Sequence, residues 1–102
     1  MTDRELLEYA AKAAGIEIAH EIETKDCLAV KIDCYNHDYW NPLTDDGDAF
    51  QLLVKLKMVV ACYDDTCEVE DLNGNMLAFD VDADPYAATR RAIVREIGRA
   101  HV

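Results

Sequence analysis

The densest group of chemistry-bearing side chains lies in the middle of the chain, where Trp40 and Asn41 precede Asp45, Asp46 and Asp48. Clustered carboxylates suit two tasks. They can supply oxygen ligands to a hard cation, or they can cap a helix N-terminus by accepting backbone N–H groups and complementing the helix dipole. The second use is the commoner and needs no ligand; it makes Trp40 an apolar anchor and Asn41 a turn residue. Just upstream, His37 stands beside Asp38 and Tyr39. A His oriented by a carboxylate is the pattern of a general base. The only nearby nucleophile is Cys34, and nothing around it marks an activated thiolate. Tyr35, Tyr39 and Trp40 suit a core and an interface equally, since aromatic residues are enriched at binding hot spots. Asp80, Asp82 and Asp84 imitate the start of an EF-hand loop and then fail it, with Pro85 where Gly is needed and Arg91 where Glu is needed.

The four cysteines, at 27, 34, 62 and 67, are spaced C-x6-C and C-x4-C. Neither spacing is the C-x2-C knuckle of a structural zinc site, although His20 and His37 are available as further ligands. All four fall in or beside apolar, strand-like runs, where Cys behaves as a small hydrophobe. Free thiols in a reducing compartment are therefore expected, with no metal and no cofactor. The chain contains no Ser, which removes serine hydrolases and serine phosphorylation together.

Charge narrows the partners. The 102 residues carry a formal charge of -11, with a pI near 4.4. Such a surface repels phosphate backbones and anionic bilayers, so direct contact with nucleic acid or membrane is not expected. No apolar run approaches the roughly 20 residues of a membrane span, and the opening MTDRELLEYAAKAAG is charged and amphipathic, unlike a signal peptide. A cytoplasmic location is the expectation. The charge is also uneven: residues 1–84 hold 20 acids and 6 bases, whereas residues 85–102 hold Arg90, Arg91, Arg95 and Arg99 against Glu96. An Arg stripe of this kind meets an acidic partner, meets a second copy, or is simply solvated.

The elements that must position these groups fit a single domain over residues 1–102. Thr2 and Glu5 form a capping box for a helix from about Asp3 to Ala14, closed by Gly15. Ile16, Ile18, His20 and Ile22 alternate with Glu17, Ala19, Glu21 and Glu23, and Leu28, Val30 and Ile32 alternate again after Thr24-Lys25-Asp26, which predicts an antiparallel hairpin over 16–33. Glu21 and Glu23 fall on its polar face. After Asn41-Pro42, Thr44 is the expected cap of a second helix burying Ala49, Phe50, Leu52, Leu53 and Leu56. Strands over 58–63, 67–72 and 76–81 form a meander, with Asn73-Gly74 as a type I′ turn. Asp84-Pro85 starts a last helix whose apolar face is Tyr86, Ile93, Val94 and Ile97. The expected fold is α+β, a mostly antiparallel sheet packed by three helices in the order α-β-β-α-β-β-β-α.

The run Trp40-Asn41-Pro42-Leu43-Thr44-Asp45-Asp46-Gly47-Asp48-Ala49, with the closing Ala88-Thr89-Arg90-Arg91-Ala92-Ile93 and the opening Thr2 to Gly15, resembles a family of small bacteriophage and prophage proteins. A more distant similarity is to the phage NinX-type proteins. The resemblance implies a phage-derived accessory protein in the cytoplasm of a bacterial host, and it carries over no catalytic residue. Three functions are then open. The first is a non-enzymatic module that binds a host or phage protein through its acidic surface, Glu21 and Glu23 included, as a nucleic-acid mimic. The second is a small-molecule or metal-binding protein or enzyme centred on Trp40 and Asp45–Asp48. The third is a structural homodimer. The lack of a complete catalytic constellation favours the first.

Overall fold

The computed structural model describes residues 2–81 and 83–100. Its first helix, α1 (Asp3–Ala13), begins as the capping box requires: Glu5 N donates to Thr2 Oγ1 and Thr2 N donates to Glu5 Oε1, both at 3.2 Å. It ends before Gly15, whose φ of +71° takes the left-handed conformation for which glycine is suited. Leu6, Leu7, Ala10 and Ala11 form its buried stripe.

The next segment departs from the expected hairpin. Residues 16–23 form no strand; the expected antiparallel pairing with 27–33 is reduced to one bridge, Ile18 to Val30, flanked by bonds from Ala19 N to Ala29 O and from Lys31 N to Glu17 O. The chain then turns at once, with Ile22 N donating to Ala19 O. The alternation is real, but it is short-lived. Ala19 is buried and Ile16 and Ile18 half-buried, while Glu17 between them, and His20 after them, face water. The first true strand is β1 (Leu28–Lys31), and its antiparallel partner is the aromatic stretch β2 (His37–Trp40), in the register Leu28 to Trp40. Asp33 makes the connection possible. Its carboxylate accepts the backbone N–H groups of Tyr35 and Asn36 and the Asn36 amide, folding the loop back after β1. Glu21 and Glu23 therefore lie in a loop outside the hairpin, although both are exposed. Arg4 of α1 pins that loop from below through the carbonyls of Thr24 and Cys27.

The second helix, α2 (Asp46–Leu56), is capped by Asp45, whose carboxylate accepts Asp48 N at 2.8 Å; Thr44 sits exposed in the preceding turn. Ala49 and Leu52 are buried and Leu53 and Leu56 half-buried, but Phe50 is 64% exposed, because it lies on the flank that no element covers. The strands β3 (Val59–Cys62), β4 (Thr66–Glu70) and β5 (Met76–Asp80) form the meander with β4 in the centre. The β4–β5 turn is not type I′, since Gly74 has positive φ and Asn73 does not. Gly74 N donates to Asp71 O and Asp71 N to Asn75 O, giving a three-residue loop whose last residue is left-handed.

The third helix, α3 (Pro85–Ala100), lies against α1, α2, β4 and β5 and organises the core. Ile93, Val94 and Ile97 pack with Leu6, Leu7, Leu28, Trp40, Leu52 and Val69. Tyr86 does not join them. It stands 70% exposed, about two turns ahead of Ala92 and Ile93, where α3 reaches the core. The fold is α+β, with two antiparallel sheets and three helices in the order α-β-β-α-β-β-β-α.

Candidate functional site

The corner from Trp40 to Asp48 is held together by its own polar atoms. Trp40 is buried among the core residues, and its Nε1–H donates to Gln51 Oε1 at 3.3 Å. Asn41 is a three-way tie: its amide donates to Asp26 O at 2.6 Å, its side-chain oxygen accepts Leu43 N, and its backbone N–H donates to Asp48 Oδ2 at 2.9 Å. Asp45 caps α2, and Asp46 accepts Arg90 of α3 at 2.6 Å, while the same arginine donates through Nε to Leu43 O. Burial pushes the Asp48 carboxyl above its ordinary value. The Asn41 N–H opposes this, and the nearby Asp45 and Asp38 reinforce it. The corner thus joins β2, α2, α3 and the 20s loop, and its carboxylates are occupied as acceptors.

The remaining residues singled out in the sequence are dispersed. Tyr35 is 95% exposed in the β1–β2 turn, and Tyr39 is exposed on β2 with its ring edge-on to His37 at 5.5 Å. Glu21 and Glu23 are exposed in the preceding loop. The Asn36 side chain, with the Tyr35 and Asn36 N–H groups, holds Asp33 below the usual carboxylate range. Of the EF-hand-like run, Asp84 caps α3 by accepting Ala87 N, and Asp82 lies outside the described residues. Among the described residues no group of three or more His, Cys, Asp or Glu side chains is placed to hold a metal ion, and no helix is long and apolar enough to cross a membrane.

The arginines of α3 are mostly bound within the chain. Arg91 forms a bidentate pair with Asp3, at 3.0 and 3.2 Å, tying the start of α1 to α3. Arg99 grips Glu96 through two bonds, at 3.1 and 2.7 Å, and Glu96 is itself only 1% exposed. Arg90 holds Asp46, as above. A buried carboxylate needs such a partner, since a lone buried charge is costly.

A feature the sequence did not announce is an apolar groove of about 510 Å³ between α2, the start of α3 and the β3–β4 turn. Phe50 and Leu53 form one wall, Pro85 and Tyr86 the other, and Tyr63, Cys62 and Cys67 close the end. Its size is that of a small-molecule or side-chain pocket. Its members are far apart in sequence, and the available signal was negative: Phe50 falls off the Ala49–Leu52–Leu56 stripe, and Tyr86 precedes the Ile93–Ile97 stripe by two turns. The chain matches no protein-family model, and no curated protein or solved structure matches it.

Proposed function

We propose that the domain is a non-enzymatic protein-binding module whose exposed carboxylates engage a basic surface on another protein, in the manner of a nucleic-acid mimic. One observation carries the reading: Arg90, Arg91 and Arg99 are each neutralised by a carboxylate of the same chain. Three of the four arginines of the last helix are thereby paired within the chain, Arg95 standing exposed beside them, and with a formal charge of -11 the excess carboxylates set a negative outward field. Glu21, Glu23, Asp26, Asp33 and Asp38 lie exposed along the 20s loop and the β1–β2 hairpin. Opposed potentials of this kind accelerate encounter and are screened by salt. The resemblance of the Trp40–Ala49 segment to small phage proteins supports a phage-derived accessory role in a bacterium, with a host or phage protein as partner.

The test is capture from bacterial lysate across a salt series, with duplex DNA as competitor. A mimic loses its partner steeply as salt rises, yields it to DNA, and binds more slowly when Glu21→Lys and Glu23→Lys are combined, with the melting temperature unchanged. Capture that survives high salt, DNA and the double reversal contradicts the proposal. A second reading, binding of an apolar ligand, is favoured by the groove between Phe50 and Tyr86. It requires that an apolar fluorescent probe bind, and that Phe50→Ala with Tyr86→Ala abolish the signal.

A further inference from the structure

The register of β3 and β4 places Cys62 directly opposite Cys67. Tyr63 N donates to Thr66 O at 2.8 Å, so Tyr63 and Thr66 are the hydrogen-bonded pair that closes the turn. Antiparallel pairs alternate, which makes Cys62 and Cys67 a non-hydrogen-bonded pair. In such a pair the Cα atoms are about 4.5 Å apart and the side chains leave the sheet on one face, inside the span of about 4.4–6.8 Å that disulfides bridge. Both cysteines line the groove, and they differ in access: Cys62 is exposed and Cys67 buried. Cys27 and Cys34 have no such arrangement, since one precedes β1 and the other lies in the turn after it.

We propose that Cys62 and Cys67 are a dithiol switch, closed to an intramolecular disulfide by a low-molecular-weight disulfide such as oxidised glutathione. The exposed Cys62 loses its proton and its thiolate attacks one sulfur of the oxidant. A mixed disulfide forms, the oxidant's S–S bond breaks, and the expelled thiolate takes up a proton. Cys67 then deprotonates, attacks Cys62 Sγ and expels the second small thiolate, which is protonated in turn. Two protein thiols are oxidised to one disulfide, and one disulfide is reduced to two thiols. The Cys67 side chain and burial raise the Cys62 thiol above its ordinary value, with the Thr89 hydroxyl opposing them. The Cys62 thiol therefore stays protonated at neutral pH, and closure accelerates as pH rises. The bridge would form at the end of the Phe50–Tyr86 groove and alter its shape.

The experiment incubates the folded 102-residue chain with glutathione mixtures of increasing oxidised fraction, quenches in acid, alkylates the remaining thiols under denaturing conditions so that the buried Cys67 is reached, and reads intact mass and peptide linkage. A parallel Cys34→Ala chain removes the exposed competing thiol. The oxidised chain should carry two alkyl groups where the reduced chain carries four, with two hydrogens fewer on the protein itself and a peptide joining residues 62 and 67, and dithiothreitol should restore both thiols. The same linkage should form in Cys34→Ala. The proposal is overturned if Cys62 accumulates a stable glutathione adduct, if the linkage involves Cys27 or Cys34, or if all four thiols remain alkylatable in the most oxidising mixture.

Discussion

At the start of α2, Trp40 is buried and the polar atoms of Asn41, Asp45, Asp46 and Asp48 are taken up by partners within the corner and by Asp26 and Arg90 from outside it. At the start of α3, Asp84 caps the helix in the same manner, yet Tyr86 stands in the open above a groove that Phe50 and Tyr63 share. The two helix starts have the same ingredients, an acidic cap and adjacent aromatics. What separates them is whether another element lies across the aromatic residue. At α2 the β1–β2 hairpin delivers Trp40 into the core in register with Leu28. At α3 no element crosses Tyr86. A conspicuous acidic-aromatic cluster in a sequence can thus be architecture, while the accessible apolar surface is assembled from residues that no local pattern links.

This difference makes the largest expected effect a loss of stability at the corner. Trp40→Ala should cost about 3–5 kcal/mol in denaturant unfolding, whereas Phe50→Ala or Tyr86→Ala should stay within about 0.5 kcal/mol. Similar losses at all three positions would erase the distinction. Next in size, Asn41→Ala removes the two side-chain bonds to Asp26 O and from Leu43 N. At about 0.5–1.5 kcal/mol per bond, the loss should be roughly 1–3 kcal/mol, with raised amide exchange in the 20s loop. Smaller again, Asp45→Ala should cost about 0.5–2 kcal/mol as the loss of an N-cap. Thr44→Ala should leave the midpoint nearly unchanged; the reverse ranking would move the cap.

The smallest effect is a pH dependence at Asp48. Its folded carboxyl titrates above the ordinary value of 3.8, mainly through burial, so the ionised form is disfavoured by folding. The penalty is absent below the unfolded value, grows as pH rises through the folded value, and is complete above it. Asp48→Asn keeps an acceptor for Asn41 N–H and removes the charge. It should therefore raise stability at neutral pH, and the gain should fade as pH falls below the unfolded value. A gain that persists undiminished in acid would assign the effect to something other than ionisation.

Local signals were sufficient wherever an element's boundaries are written in its own residues. Thr2 and Glu5 announce α1, Asp84-Pro85 announces α3, and alternation with turn residues announces the meander. They fall short between 16 and 40, where β1 has a polar turn on either side: the pairing before it shrinks to the Ile18–Val30 bridge, and the pairing after it runs over four residues. Thr24-Lys25-Asp26 and Asp33 to Asn36 are both polar, but only Asp33 supplies a carboxylate that gathers two backbone N–H groups and a side-chain amide. The pairing partner of β1 is decided by that turn and by Trp40 reaching the core, neither of which alternation reports. Phe50 and Tyr86 are exposed despite the helical periodicity that places them on buried faces, for a related reason. Helical periodicity ranks residues around an axis, but it does not say where along the helix the neighbour ends. In the corner itself, the capping use of the acids was legible, and the long-range ties from Asp26 and Arg90 were not.

In the function proposed above, the acidic loop and hairpin are the working surface and the Trp40–Asp48 corner only supports them. Amide chemical-shift mapping of the labelled chain, titrated with its captured salt-sensitive partner, tests this most directly. Perturbations should concentrate at Glu21, Glu23, Asp33 and Asp38, shrink as salt is added, and leave Asn41 through Ala49 in place. Perturbations centred on Asp45–Asp48, or on Phe50 and Tyr86, and insensitive to salt would contradict the account.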